Sequence, residues 1–179
     1  MPIFIGLYIG DERLYYMGMR FQSYGYGTIE LENQHLTLLF IGDYRGVFLW
    51  NIVRLLEDVE LSLPSVLVPV ELALLPPEKY TNVVVVVRKD KSLVEARKII
   101  EEKLKENNVV IRDRYSFMPH ITIARRKRPP DPSRLRKLIS LSKKLQHHLP
   151  KFIVVRDVFL YETTREGYRK VLRLRTRWV

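Results

Sequence analysis

The sequence predicts an α+β fold built as two similar halves, with antiparallel sheets and helices on their outer sides. Two observations carry that reading. His35-Leu36-Thr37-Leu38 and His120-Ile121-Thr122-Ile123 repeat one pattern, His-apolar-Thr-apolar, 85 residues apart. Between and around them, β-rich and helical runs alternate along 179 residues, a length that suits one domain or two closely packed lobes. Strand side chains alternate between faces, so His and Thr at i and i+2 point together, roughly 7 Å apart. The aliphatic residues between them point to the other face. Each repeat is therefore a half-buried strand with an imidazole and a hydroxyl on its polar side. Each half lends one such strand to a shared cleft.

In order, Pro2–Ile9 is β-rich and ends at Gly10-Asp11. Residues 11–32 combine Tyr15, Tyr16, Phe21, Tyr24 and Tyr26 with Gly18, Gly25 and Gly27. An internal glycine costs a helix about 1 kcal/mol relative to alanine, so a hairpin or ordered loop is expected there. Its tyrosines read as packing on a sheet edge in preference to stacking on a nucleobase. Gln34–Phe40 is the first repeat strand. Leu49, Ile52, Val53 and Leu56 then recur at helical spacing. Val66–Leu75 and Asn82–Arg88 are neighbouring strands, and the uninterrupted Val83–Val87 run marks an interior one. Ser92 is a plausible N-cap for a helix with Leu93, Ala96, Ile100 and Leu104 on one face. Val109–Tyr115 leads into the second repeat strand, Phe117–Arg125. Asp131 and Pro132 supply a cap and a first residue for a helix buried through Leu135, Leu138, Ile139, Leu145 and Leu149. His147-His148 close that helix, a placement that suits its dipole. Phe152–Thr163 and Tyr168–Trp178 flank Arg165-Glu166-Gly167 as a terminal hairpin.

Charge is divided unevenly. Residues 1–89 hold seven Lys/Arg and ten Asp/Glu, whereas residues 90–179 hold 24 and ten, so that half carries +14 of a net +11. A basic half is the footprint of a polyanionic partner. No long uncharged apolar run and no basic-then-apolar N-terminus occur, so neither a membrane span nor a secretory signal is expected. Zero cysteines exclude disulfides and thiolate metal ligands and fit a cytoplasmic protein. Neither repeat has a second His or a carboxylate at ligand spacing, and no Walker-type loop appears. No metal, cofactor or nucleoside triphosphate is expected.

Two histidines can serve as one acid and one base near neutral pH. A neutral imidazole takes a proton from a water or hydroxyl attacking phosphorus, and an imidazolium opposite gives one to the departing oxygen. Thr37 and Thr122 can hydrogen-bond the non-bridging phosphate oxygens, their bland role being simple strand propensity. Arg125 adds a forked, charged contact. Phe117 and Tyr115 could stack on a base beside the phosphate or pack in the core.

With Phe40-Ile41-Gly42, Pro119 and Ala124-Arg125 around them, the two repeats resemble the signatures of the 2H phosphoesterase superfamily. The nearest likeness is to its RNA 2′,3′-cyclic phosphodiesterases, also called 2′-5′ RNA ligases. The tail Val158–Glu162, Gly167-Tyr168 and Val171-Leu172 is similar to that family's closing hairpin. The resemblance implies a single bilobal domain over residues 1–179, concave sheets facing each other across the active cleft, and hydrolysis of RNA 2′,3′-cyclic phosphates to 2′-phosphates. It implies His35 as acid and His120 as base, a point on which the residues themselves are symmetric. The implied partner is RNA with cyclic phosphate ends, tRNA included, bound by a monomer, and 2′-5′ joining would be the reverse reaction. A phosphodiesterase acting on another cyclic or 2′-5′ linked nucleotide, or a non-catalytic RNA-binding module, are the alternatives.

Overall fold

The computed structural model describes all 179 residues. In the first half come β1 (Pro2–Tyr8), α1 (Glu12–Met19), β2 (Gly27–Thr28), β3 (His35–Asp43), α2 (Val47–Leu56) and the short strands β4 (Glu60–Leu63) and β5 (Val66–Leu67). They are followed by β6 (Pro69–Leu75), β7 (Asn82–Val87), α3 (Lys91–Glu106), β8 (His120–Arg125) and α4 (Pro132–Gln146). The chain ends with β9 (Ile153–Val154), β10 (Asp157–Thr163), β11 (Tyr168–Arg173) and β12 (Arg175–Trp178).

The main sheet runs β11-β10-β1-β3-β8-β7-β6, antiparallel throughout, with β2 beside the end of β8. Strand, helix, His-x-Thr strand, helix recurs: β1-α1-β3-α2 in one half, β7-α3-β8-α4 in the other. The two repeat strands are neighbours, joined by the single pair Leu36–Ile121. Leu36, Leu38, Ile121 and Ile123 are all fully buried, each contributing about 1.5–3 kcal/mol of burial. They belong to one cluster of 38 buried residues that runs through both halves. As expected, β7 is an interior strand, with Val83, Val84, Val85 and Val87 all buried.

Three expectations are corrected. Residues 12–19 form a helix, not a hairpin or loop. Asp11 caps it by accepting the Arg13 N–H, and the buried Gln34 side chain ties Asp11 to the start of β3. Gly18 is required there for close approach: a Cβ would stand 2.4 Å from the Ile123 carbonyl oxygen. That contact on β8 outweighs the glycine penalty of about 1 kcal/mol. Tyr26 packs against Phe21 and gives its hydroxyl hydrogen to the Tyr80 carbonyl, so the packing reading holds for Tyr26. Second, the cap of α3 is Asp90, whose carboxylate accepts the Ser92 N–H; Ser92 is the second helical residue.

Third, the repeat strand begins at His120 instead of Phe117, and residues 107–119 run into it as an irregular strap. The reason lies in the open edge of β3. Past the Leu36–Ile121 pair, that edge is satisfied by this strap instead of by β8. The Arg112 N–H donates to the Ile41 carbonyl, and Asp113 accepts the Phe40 N–H. Arg97 of α3 donates to the Leu38 carbonyl. Buried backbone groups need such partners, and the strap supplies them while holding the two strands apart.

Candidate active site

Each histidine opens its strand and is held in the same way. Nδ1 of His35 lies 2.8 Å from the Asn33 carbonyl oxygen, and Nδ1 of His120 lies 2.7 Å from that of Met118. A carbonyl only accepts, so Nδ1 carries the hydrogen in both rings and Nε2 is left free. Around the Leu36–Ile121 pair, His35 and Thr37 flank one partner and His120 and Thr122 the other. All four are half-buried, on the face opposite the fully buried leucines and isoleucines.

Strict alternation would turn Arg125, five residues after His120, toward the core. A bulge prevents this. Val84 pairs with Thr122 and Val83 with Ala124, which leaves Ile123 as the extra residue. Leu38 is skipped in the same manner, between the Gly6–Thr37 and Ile5–Leu39 pairs. Both bulges fall three residues after the histidine. Each re-aims the residue at +5, Phe40 in one strand and Arg125 in the other, onto the histidine face.

The structure brings Thr37, His120 and Arg125 together in one cleft of about 570 Å³, whose wall includes Arg97, Arg112, Asp113, Arg114 and Tyr115. Arg125 donates Nε to Asn82 at 3.0 Å, leaving its terminal nitrogens available. His35 and Thr122 do not line this cleft and border it across the strand pair. A larger groove of about 710 Å³ lies between α4 and β6, beside Leu72, Ile139 and Gln146; none of the predicted residues lines it. No three metal-ligating side chains converge anywhere in the molecule.

The two histidines differ in surroundings. His35 is packed by Phe4 with ring centroids 4.8 Å apart, by the edge of Tyr168 at 4.7 Å and by Tyr161 at 5.7 Å. Gly6 makes room for this, since a Cβ there would meet the Tyr161 and Phe4 rings at 3.1 and 3.2 Å. Burial pushes the His35 pKa down from 6.5 to about 4. The Asn33 carbonyl opposes that shift, whereas the charges of Arg125 and His120 reinforce it. His35 therefore sits as a neutral imidazole at neutral pH, with its Nε2 lone pair free.

Several of these neighbours escape a reading of the sequence. Phe4, Tyr161 and Tyr168 are visible as aromatics in strands, but nothing local points them at His35. The bulges carry no signature of their own. Arg112, Asp113 and Arg114 stand out only as charges before the second repeat.

Solved structures share this fold over nearly the whole chain. A phosphoesterase crystal structure superposes with a TM-score of 0.62 at 14% identity, covering 98% of this chain and 99% of that one. TT0787 of Thermus thermophilus gives 0.65 at 21% identity, with 97% of both chains covered. LigT of E. coli, crystallised with 3′-AMP, gives 0.61 at 14% identity, again over 97% of both. No family model and no curated protein matches the sequence. At these identities the likeness establishes the α+β fold. No helix is long and apolar enough to cross a membrane.

Proposed function

We propose that this chain is a 2H phosphoesterase that opens RNA 2′,3′-cyclic phosphates to 2′-phosphates without a metal. The observation that carries the reading is the pairing of two His-x-Thr strands around one bridge, with Nε2 free on both imidazoles. The likeness in fold to a phosphoesterase and to LigT supports it.

One histidine must start neutral and the other protonated. Burial holds His35 neutral, so we assign it the base role and give the acid role to the other histidine, His120. This exchanges the roles implied by the sequence resemblance: His35 is the base and His120 the acid. A water oxygen attacks phosphorus and its proton passes to Nε2 of His35. The P–O3′ bond breaks, and O3′ takes the proton from Nε2 of His120, leaving a 2′-phosphate and a 3′-hydroxyl. Proton exchange with solvent resets the pair. The hydroxyls of Thr37 and Thr122 and the Arg125 guanidinium hold the non-bridging oxygens where charge accumulates. The same steps in reverse, with an RNA hydroxyl in place of water, join 2′-5′ ends.

The test is hydrolysis of an oligoribonucleotide with a 2′,3′-cyclic phosphate end, in EDTA, by wild type, His35→Ala and His120→Ala. Turnover to the 2′-phosphate by wild type, lowered roughly 10²–10⁴-fold in each variant, is the expected result. A folded wild type without turnover on RNA but active on a cyclic mononucleotide would move the substrate to small cyclic nucleotides. Inactivity on both, with RNA still bound, would leave a binding module.

A further inference from the structure

We infer that the strap over residues 112–117 seats the nucleotide preceding the cyclic phosphate, Tyr115 stacking on its base and Arg112 and Arg114 holding its phosphate. The preferred substrate would then be a single-stranded RNA 3′ end of at least two nucleotides. The inference rests on the proposed reaction and adds to it a requirement for length.

Three features of the strap carry it. The first is charge. Four arginines and one aspartate line the cleft, a net of +3, whereas a terminal cyclic phosphate brings a single negative charge. Arg97 is fully engaged with the protein: it pairs with Glu101 at 3.0 Å and with Asp113 at 3.2 Å and donates to the Leu38 carbonyl. In the proposed reaction Arg125 serves the cyclic phosphate. Arg112 and Arg114 are exposed and make no close ion pair; the Arg112 stem lies against Gly42, and its charge reaches Asp43 only at longer range. Two unpaired guanidiniums beside an already served phosphate call for another phosphate.

The second feature is Tyr115. It is 87% exposed, the most exposed large hydrophobic side chain of the molecule, and it borders the cleft. Phe117, its aromatic neighbour, is different. That ring is half-buried against the core and covered by Arg97 at 5.0 Å and Lys89 at 5.9 Å. Of the two aromatics, Tyr115 alone has a face free to stack. An aromatic ring beside cations is the usual platform for a base of a single strand.

The third feature is anchoring. The exposed ring stands between two fixed points. Asp113 accepts the Phe40 N–H and the Tyr115 N–H and pairs with Arg97, while the half-buried Phe117 packs against the core. The backbone at Tyr115 is thereby tethered on both sides, which limits the ordering cost of binding.

Two measurements test this. The first compares kcat/KM on a cyclic mononucleotide and on a trinucleotide ending in a 2′,3′-cyclic phosphate. Wild type prefers the trinucleotide, and Tyr115→Ala lowers that preference on the order of tenfold or more. An unchanged ratio, with both substrates affected alike or neither affected, overturns the strap assignment and leaves the phosphodiesterase reading standing. Absence of turnover on both substrates overturns the reading on which it rests. The second needs no turnover: fluorescence anisotropy of a labelled trinucleotide carrying the product 2′-phosphate, across a salt series. Losing the extra phosphate contact in Arg112→Gln/Arg114→Gln lowers the slope of log affinity against log salt by about 0.7. An unchanged slope overturns the assignment of the arginines. Tyr115 and both arginines are solvent-exposed, so the variants retain the fold.

Discussion

The two histidines share a motif, a position at the head of a strand and a backbone carbonyl two residues back, yet they occupy different environments. His120 opens onto a cleft walled by arginines. His35 is enclosed by Phe4, Tyr161 and Tyr168, brought by β1 and by the hairpin of β10 and β11. Local geometry fixes the same tautomer in both, and burial among its tertiary neighbours holds the His35 pKa down. A repeated motif can therefore supply two different chemical functions once each half surrounds its histidine differently.

The largest effect that would break this comparison comes from changing the leaving group. When O3′ is replaced by sulfur, the departing atom no longer needs a proton. His120→Ala should then recover to within about tenfold of wild type, whereas His35→Ala should stay depressed by roughly 10²-fold or more. Steady-state rates on the bridging 3′-thio substrate check this. Recovery of His35→Ala in its place would return the acid role to His35.

Next in size is the effect of pH on stability. The His35 pKa is about 4 when folded and 6.5 when unfolded, so the unfolded chain binds the additional proton between those values. Stability from this group is intact above pH 6.5 and falls as pH drops toward 4. The loss amounts to about 3 kcal/mol from a shift of this size. Urea unfolding of wild type and His35→Phe at pH 7 and pH 4 isolates it: the difference between the two proteins should change by about that amount, with wild type losing more. Equal losses in both would show that His35 titrates normally.

Much of this arrangement is legible in the sequence because it is periodic. Alternation places Leu36, Leu38, Ile121 and Ile123 in the core and the His-x-Thr pairs together, and Asp131-Pro132 marks the start of α4. What is not legible depends on partners distant in the chain. Helix α1 forms because Gly18 can lie against Ile123, a contact spanning more than a hundred residues. The strap is irregular because β3 has an edge to satisfy there. Arg125 reaches the site only through the bulge at Ile123, where a strict period of two points the wrong way. The cage around His35 depends on a hairpin more than 120 residues downstream.

Opening that cage sharpens the comparison further. Tyr168→Ala removes the ring standing edge-on to His35 and admits water, so the His35 pKa should rise from about 4 toward 6.5. NMR titration of the imidazole protons reads this directly. The acid limb of the rate profile should move up with it, making the variant less active than wild type near pH 5 and closer to it at pH 8. A His35 titration that stays near pH 4 would assign the shift to burial by the remaining rings.

The smallest effect lies on the other side, at Asn82. Its side-chain oxygen accepts the Nε hydrogen of Arg125, which lines the cleft with its terminal nitrogens unengaged by this bond. The side chain of Asn82 bonds Arg125, so it acts through Arg125 as a positioning residue. Asn82→Ala leaves the charge in place but frees the side chain to rotate, at a cost of about 1 kcal/mol in lost ordering, a few-fold in rate. On the proposed reading Arg125 already holds the non-bridging oxygens in the bound substrate, so the part of the loss shared by ground and transition states should appear in KM. Arg125→Lys provides the complementary case: it keeps the charge, loses the fork and should cost more than Asn82→Ala. If Asn82→Ala lowers kcat as strongly as Arg125→Lys, then the orientation of the guanidinium matters chiefly as charge builds on phosphorus. Arg125 would then belong with the histidines among the groups that act in the transition state.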